Sequence, residues 1–268
     1  MSPAPRERVR RGIPLRAVVP NAVTALALCV GLTAVRFAIA GEWERALAAT
    51  VVAAVLDGMD GRIARMLNGQ SRFGAELDSL SDVIAFGVAP AIVLHLWTLQ
   101  EWPRFGWMFA LAYAACAALR LARFNAQIDA DEQPHKSAGF LTGVPAPAGA
   151  GLLLLPIFLW LASGREWEWL QTSVYGIAAW AAFVAFLMIS NVATFSWTSF
   201  RLRRRVRLEA IVAIALLGGA LVTAPWETLS ASALLYVALI PFSMASYAKV
   251  KRQRAAAAER RNAAQPHG

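Results

Sequence analysis

The stretch Asp57–Asp82, DGMDGRIARMLNGQSRFGAELDSLSD, decides how the chain is read. Four carboxylates, Asp57, Asp60, Asp78 and Asp82, fall at regular spacing where apolar segments enter and leave a polar turn. On an α-helix, positions i, i+3, i+4 and i+7 share a face. Asp57, Asp60, Gly61 and Ala64 fit one such face; Gly74, Asp78 and Asp82 fit a second at i, i+4 and i+8. The turn at Asn68-Gly69, with Ser71 as N-cap of the next helix, is short enough to make the two helices antiparallel neighbours. The two acidic faces are expected to meet in one pocket.

The surroundings of this stretch are those of an integral membrane protein. Of the 268 residues 58% are hydrophobic and 16% charged, and the mean hydropathy is +0.49. Windows of about 20 apolar residues suit bilayer-crossing helices. They recur near 18–40, 45–66, 73–98, 105–125, 141–163, 171–195, 206–224 and 229–248. The expected fold is therefore an all-α bundle of about eight transmembrane helices. A catalytic domain over 18–250 lies between a basic N-terminal segment (1–17) and a basic tail (251–268). The first window follows a basic segment and ends in Ala38-Ile39-Ala40, which resembles a signal-peptidase site. Its length exceeds a signal h-region, and it is expected to stay as the first span.

The net charge of +9 is set out by topology. Alternate connections hold 22 of the 26 Lys and Arg, including Arg62, Arg65, Arg72, Arg120, Arg123, the run Arg201–Arg207 and the tail from Lys249. The opposite connections hold only Arg36, Arg45, Arg104 and Arg165. The positive-inside rule then puts both termini and the acidic pocket on the cytoplasmic side of the cell membrane. Trp43, Trp97, Trp102, Trp167, Trp169 and Trp226 fall at the other ends, as an interfacial belt would. Basic clusters between apolar runs suit anionic membrane lipid, not nucleic acid. Cys29 and Cys116 lie in apolar runs and make neither a disulfide framework nor a thiolate metal site. His95, His135 and His267 are too scattered to bind metal together.

The acids are costly where they stand. With the interface near Met66, Asp57 lies about 14 Å inside, at about 1.5 Å of rise per residue. Four uncompensated charges at such depth would cost on the order of 10 kcal/mol on the insertion scale. A divalent cation resolves this cost. Carboxylate and water oxygens suit Mg²⁺ or Mn²⁺, whereas zinc favours His or Cys. Two ions sharing carboxylates would suit in-line displacement at phosphorus. Gly61 and Gly74 would let a phosphate approach the backbone, and Arg65 and Arg72 could hold its oxygens.

The pattern Asp57-x2-Asp60-Gly61-x2-Ala64-Arg65-x8-Gly74-x3-Asp78-x3-Asp82 resembles the signature of the CDP-alcohol phosphotransferase family in every fixed position. The resemblance implies a helical membrane enzyme, homodimeric, that transfers the phosphatidyl group of a CDP-linked lipid to an alcohol and releases CMP. It implies Asp57, Asp60, Asp78 and Asp82 as ligands of two Mg²⁺ or Mn²⁺ ions, with Asp82 also the catalytic general base. Asp57, Gly61, Ala64, Arg65, Arg72 and Gly74 would line the CDP-lipid site.

The stretches PNAVT (from Pro20), DSLSDVIAFGVAPA, ALRLARFN and FLTGVPAPAGA resemble the phosphatidylserine synthase branch of that family. The implied substrates are CDP-diacylglycerol and L-serine. Serine carries a carboxylate, and a guanidinium from Arg120 or Arg123 could hold it, with Asn125 adding a hydrogen bond. These arginines could equally cap their helix and satisfy the positive-inside rule. Gly143–Pro147 breaks regular helix and could wall the serine site. Another acceptor (glycerol 3-phosphate, inositol phosphate or choline) and a cation-coupled transporter are the alternative readings. A transporter would be expected to show repeated halves, and the sequence has none.

Overall fold

The computed structural model describes residues 15–129, 140–190, 193–195 and 207–243. Helix α1 (Leu15–Ile39) runs antiparallel along α2 (Trp43–Met66) after a tight turn in which Gly41 takes φ +72°. Helix α2 ends as the sequence anticipates. Asn68 adopts φ +48° and the Gly69 N–H bonds back to the Ala64 carbonyl at 3.0 Å. Asn tolerates this left-handed geometry better than most residues, which stops the helix there. Ser71 then caps α3 (Arg72–Asp82), its Oγ accepting from the Gly74 N–H at 3.0 Å.

The third apolar window is not one regular helix. Directly after Asp82 the backbone widens into a π-helical turn, Val83–Val88, before α4 (Ala89–Trp97) continues. Pro90, in the first turn of α4, has no N–H to give to the carbonyl four residues back, and such a position is where a helix kinks or widens. Helix α5 (Gly106–Asp129) returns along this broken helix. Next come α6 (Ala146–Leu153), α7 (Leu155–Ala162), a short α8 (Glu168–Thr172) and α9 (Val174–Ile189). Helix α10 (Arg207–Thr223) and α11 (Pro225–Ser243) complete the described chain.

Each of the eight expected windows contains helix, but 141–163 opens on strand residues and 171–195 closes on them. Among the described residues four helices are long and apolar enough to cross a bilayer by themselves: Val18–Ile39, Arg72–Trp97, Gly106–Ala126 and Pro225–Ser243. Helix α2 is long enough but carries the acids and arginines of its last turns. The one departure from an all-α fold among the described residues is a small antiparallel pair, β1 (Phe140–Thr142) with β2 (Ala193–Phe195). It ties the chain leaving α5 to the chain leaving α9. Gly143, just after β1, has φ +75°, and a Cβ there would lie 3.2 Å from the carbonyls of Met188 and Ser190. Only glycine fits that close approach.

The main core packs Val93, Leu94 and Trp97 of α4 against Tyr113, Leu152–Leu154, Ile157, Val184 and Met188. A second, smaller cluster of Ala53, Ala85, Phe86, Leu121, Ala146 and Ala150 surrounds the π turn. Its small side chains bring backbones close: a Cβ on Gly31 of α1 would come within 2.8 Å of Ala85 Cβ. At the end of the bundle away from the acids, Arg165 bonds Glu44 at 2.9 Å, and Trp102 meets Tyr175 edge-on at 4.8 Å. The basic N-terminal segment up to residue 14, His135, residues Arg201 to Val206 and the tail lie outside the described residues.

Candidate active site

The antiparallel pair α2–α3 does bring the acids together. Carboxylate oxygens of Asp57, Asp60 and Asp78 lie within 4.8 Å of one another. Asp82, one turn further along α3, stands outside that trio and interacts electrostatically with Asp57 and Asp78. Asp60 is the most deeply placed, at 4% exposed. Its Oδ2 accepts a 2.6 Å hydrogen bond from Thr24 Oγ1 of α1, itself 4% exposed. Thr24 is held in turn, its carbonyl accepting from Ser81 Oγ at 3.3 Å.

Arg120 reaches the cluster from α5. It interacts electrostatically with Asp82, with Tyr236 of α11 and with Tyr113. Arg120 Nε and Asp82 Oδ1 are both buried without a hydrogen-bond partner. Buried charged groups with valences left open are costly unless something binds to them. The donor set fits a divalent ion: several carboxylate oxygens converge, and no His or Cys joins them.

The proposed CDP-lipid residues divide into two kinds. At Gly61 a Cβ would meet nothing nearer than Arg65 Nη1, at 3.8 Å, and at Gly58 nothing within 4 Å, so this face of α2 is open. Arg65 and Arg72 are exposed, and Ala64 is half-buried. At Gly74 a Cβ would lie 2.7 Å from Asn21 Oδ1 and 3.2 Å from Ser71 Oγ, so the space on that side is filled by α1 and the cap. There glycine serves the approach of α3 to α1.

Of the three candidates for serine, Arg120 interacts electrostatically with Asp82. Arg123 Nη1 donates to the Ile189 carbonyl at 3.0 Å, at the end of α9, where a cation offsets the helix dipole. Asn125 Nδ2 donates to Ser79 Oγ at 2.9 Å and pins α5 to α3. Pro147 lies on the wall of an apolar cavity of about 400 Å³. This cavity opens between Thr50–Val55 of α2, Phe86 of the π turn, α6 and the α11 residues Leu229 to Tyr236. It adjoins the turn of α2 that leads into Asp57. His95 packs edge-on to Trp107 at 5.1 Å, away from the acids.

Thr24, Tyr113 and Tyr236 are the site-building residues that spacing along the chain does not single out. Thr24 stands in the Pro20–Thr24 motif, but its bond to Asp60 spans 36 positions of sequence.

A membrane bundle with a carboxylate cluster on two antiparallel helices fits a divalent-metal site, and comparison with known proteins gives the class. The family model for CDP-alcohol phosphatidyltransferase matches residues 17–188, and a second, CDP-alcohol phosphatidyltransferase 2, matches residues 205–241. The chain belongs to the CDP-alcohol phosphatidyltransferase family. It is 39% identical to a Mycobacterium bovis protein named CDP-diacylglycerol–serine O-phosphatidyltransferase, over 90% of this chain and 82% of that one. A protein of the same name from Mycobacterium leprae is 38% identical over 89% and 78% of the two chains. A Helicobacter pylori protein of that name is 32% identical over 65% and 70%.

Proposed function

We propose that this protein makes phosphatidylserine in the cytoplasmic membrane, transferring the phosphatidyl group of CDP-diacylglycerol to L-serine and releasing CMP. The observation that carries the reading is the carboxylate trio Asp57, Asp60 and Asp78, whose oxygens lie within 4.8 Å of one another, with Asp82 one turn further along α3. The likeness to proteins named for this transfer over nine-tenths of the chain supports serine as the acceptor.

Asp57, Asp60 and Asp78 would hold divalent Mg²⁺ or Mn²⁺, two ions in all, with Asp82 completing the set. Bound there, the ions would offset the pyrophosphate charge and stabilise the CMP leaving group. The open face at Gly58 and Gly61 admits the pyrophosphate, Arg65 and Arg72 bind its oxygens, and Asp57, Ala64 and Gly74 complete the cytidine diphosphate site. The acyl chains of the donor fit the apolar cavity that adjoins the α2 turn before Asp57.

The serine hydroxyl is a poor nucleophile at neutral pH, and Asp82 accepts its proton as the oxygen attacks. A bond forms from serine oxygen to the phosphorus of the phosphatidyl group. The bond from that phosphorus to the bridging oxygen breaks, and CMP departs with the electron pair. Arg120 is the residue we assign to hold the serine carboxylate, since its buried Nε has no hydrogen-bond partner and it interacts electrostatically with Asp82. Arg123 and Asn125 act through the helices they pin.

The full arrangement in the bilayer comprises eight crossings, both termini and the acids inside, basic segments against anionic lipid, and a homodimer. The test is CMP release by the purified protein supplied with CDP-diacylglycerol, Mg²⁺ or Mn²⁺, and one acceptor at a time. Serine should support release, and EDTA should abolish it. Release with glycerol 3-phosphate or inositol phosphate but not serine would overturn the acceptor; release with none would favour ion transport.

A further inference from the structure

Pro90 is the starting point. In a regular helix its N–H would have bonded the carbonyl of Phe86, and proline has none. Phe86 is 1% exposed, so water cannot replace the donor, and a buried carbonyl without one is strongly unfavourable. Two features answer this. The turn widens, so that the Ala89 N–H bonds the Ile84 carbonyl five residues back. The Phe86 carbonyl accepts instead from the Tyr113 hydroxyl of α5, at 3.0 Å and fully buried.

The same face of α5 continues along the acid-bearing helix. A Cβ on Gly87 would lie 3.1 Å from Ala117 Cβ, so the helices touch one turn beyond Tyr113. Asn125, further along α5, bonds Ser79 of α3 at 2.9 Å. The π turn therefore sits between two fixed bodies. Helix α4 is locked in the main core by Val93, Leu94 and Trp97. Helix α3 carries Asp78 and Asp82. Each residue of an α-helix turns the chain by about 100°, so closing this turn in α register would rotate α3 against α4 by that order. The acids would leave their facing positions.

We propose that Tyr113 is a positioning residue for the phosphatidyl transfer: its hydroxyl replaces the N–H missing at Pro90, holds the π turn in register, and thereby aims Asp82. Tyr113 does not touch substrate, and its effect passes through the backbone of Phe86. The inference rests on the reading of Asp82 as the base.

The test uses the full-length protein in lipid nanodiscs, with rates expressed per CDP-binding site so that unfolded molecules do not count. Tyr113→Phe should lower kcat about ten- to a hundredfold while KM for CDP-diacylglycerol stays within about twofold, as misaimed catalytic groups do. Unchanged kcat per site, with only the thermal midpoint lowered, would reduce Tyr113 to a packing residue and overturn the proposal. Should Tyr113→Phe fail to fold, Gly87→Ala addresses the same turn, since its new methyl group must push against Ala117. Gly87→Ala should lower kcat with KM kept, and Ala117→Gly added to it should restore the rate. No loss of kcat in Gly87→Ala would equally overturn the register argument. Asp82→Asn in the same assay separates the two layers. Full turnover by Asp82→Asn refutes the base; loss in Asp82→Asn with none in Tyr113→Phe refutes the positioning alone.

Discussion

At the scale of single residues one carboxylate of the site, Asp60, is held by a hydroxyl group, that of Thr24. A hydroxyl that orients a metal ligand typically matters by ten- to a hundredfold in metal affinity or activity. Thr24→Val keeps the shape of the side chain and removes the donor to Asp60 Oδ2. The Mg²⁺ or Mn²⁺ concentration for half-maximal rate should rise about tenfold or more, measured by CMP release in a metal titration. Asp82→Asn is a different kind of change. If Asp82 is the base, as proposed, the variant loses the proton acceptor, so kcat should fall by about 10² to 10⁴, while calorimetry should find CDP binding nearly unchanged. The four acids and their faces were legible in the sequence because the helical period relates residues within one element. Thr24 and Tyr113 were not, because their partners, Asp60 and Phe86, lie 36 and 27 positions away on other helices. No local period encodes such pairs. Arg120 could be read both as ligand group and as helix cap until its burial beside Asp82 set it apart from Arg123.

At the scale of elements, close helix approach sets the geometry of the site. The turn at Asn68, the cap at Ser71 and the break at Gly143 were visible in advance because Asn, Ser, Gly and Pro act on their own backbone. The π turn was hidden inside an apolar window that reads as one continuous span. Hydropathy measures how apolar a segment is, and α and π turns are equally apolar. Pro90 was its one local trace, and that trace becomes meaningful only once Tyr113 is seen to supply the missing donor. Gly31 tests how tightly the turn is held from the α1 side. A Cβ there would stand 2.8 Å from Ala85 Cβ and 3.0 Å from its Cα, a backbone atom that cannot swing away. Gly31→Val should therefore destabilise by about 1–3 kcal/mol, the usual cost of overpacking, and lower turnover with it. Ala85→Gly should recover part of both, read as the thermal midpoint and as CMP release.

At the scale of the whole molecule the distribution of charge and aromatic rings gives the bundle a direction. Exposed Trp167 and Trp169, with the Arg165–Glu44 pair, mark one end, and the carboxylates with Arg62, Arg65 and Arg72 mark the other. An exposed ion pair contributes little stability, so the asymmetry is to be read as orientation. The number of crossings turns on α10. Its 17 residues span about 26 Å at 1.5 Å each, slightly short of a hydrocarbon core of about 30 Å. If α10 crosses, the turn at Ala224 lies outside with Glu166; if it lies along the surface, Ala224 stays inside with Asn68. Single cysteines at these three positions decide it, in a chain whose Cys29 and Cys116 are replaced by alanine. A membrane-impermeant maleimide added to intact cells should label Glu166→Cys and Ala224→Cys. Asn68→Cys should react only after permeabilisation. Labelling of Asn68→Cys from outside would invert the bundle and place the acids away from the cytoplasm. Protection of Ala224→Cys alongside Asn68→Cys would reduce the crossings. It would also make α11 enter the bilayer from the active-site side, with Tyr236 then reaching Arg120 from a helix of opposite direction.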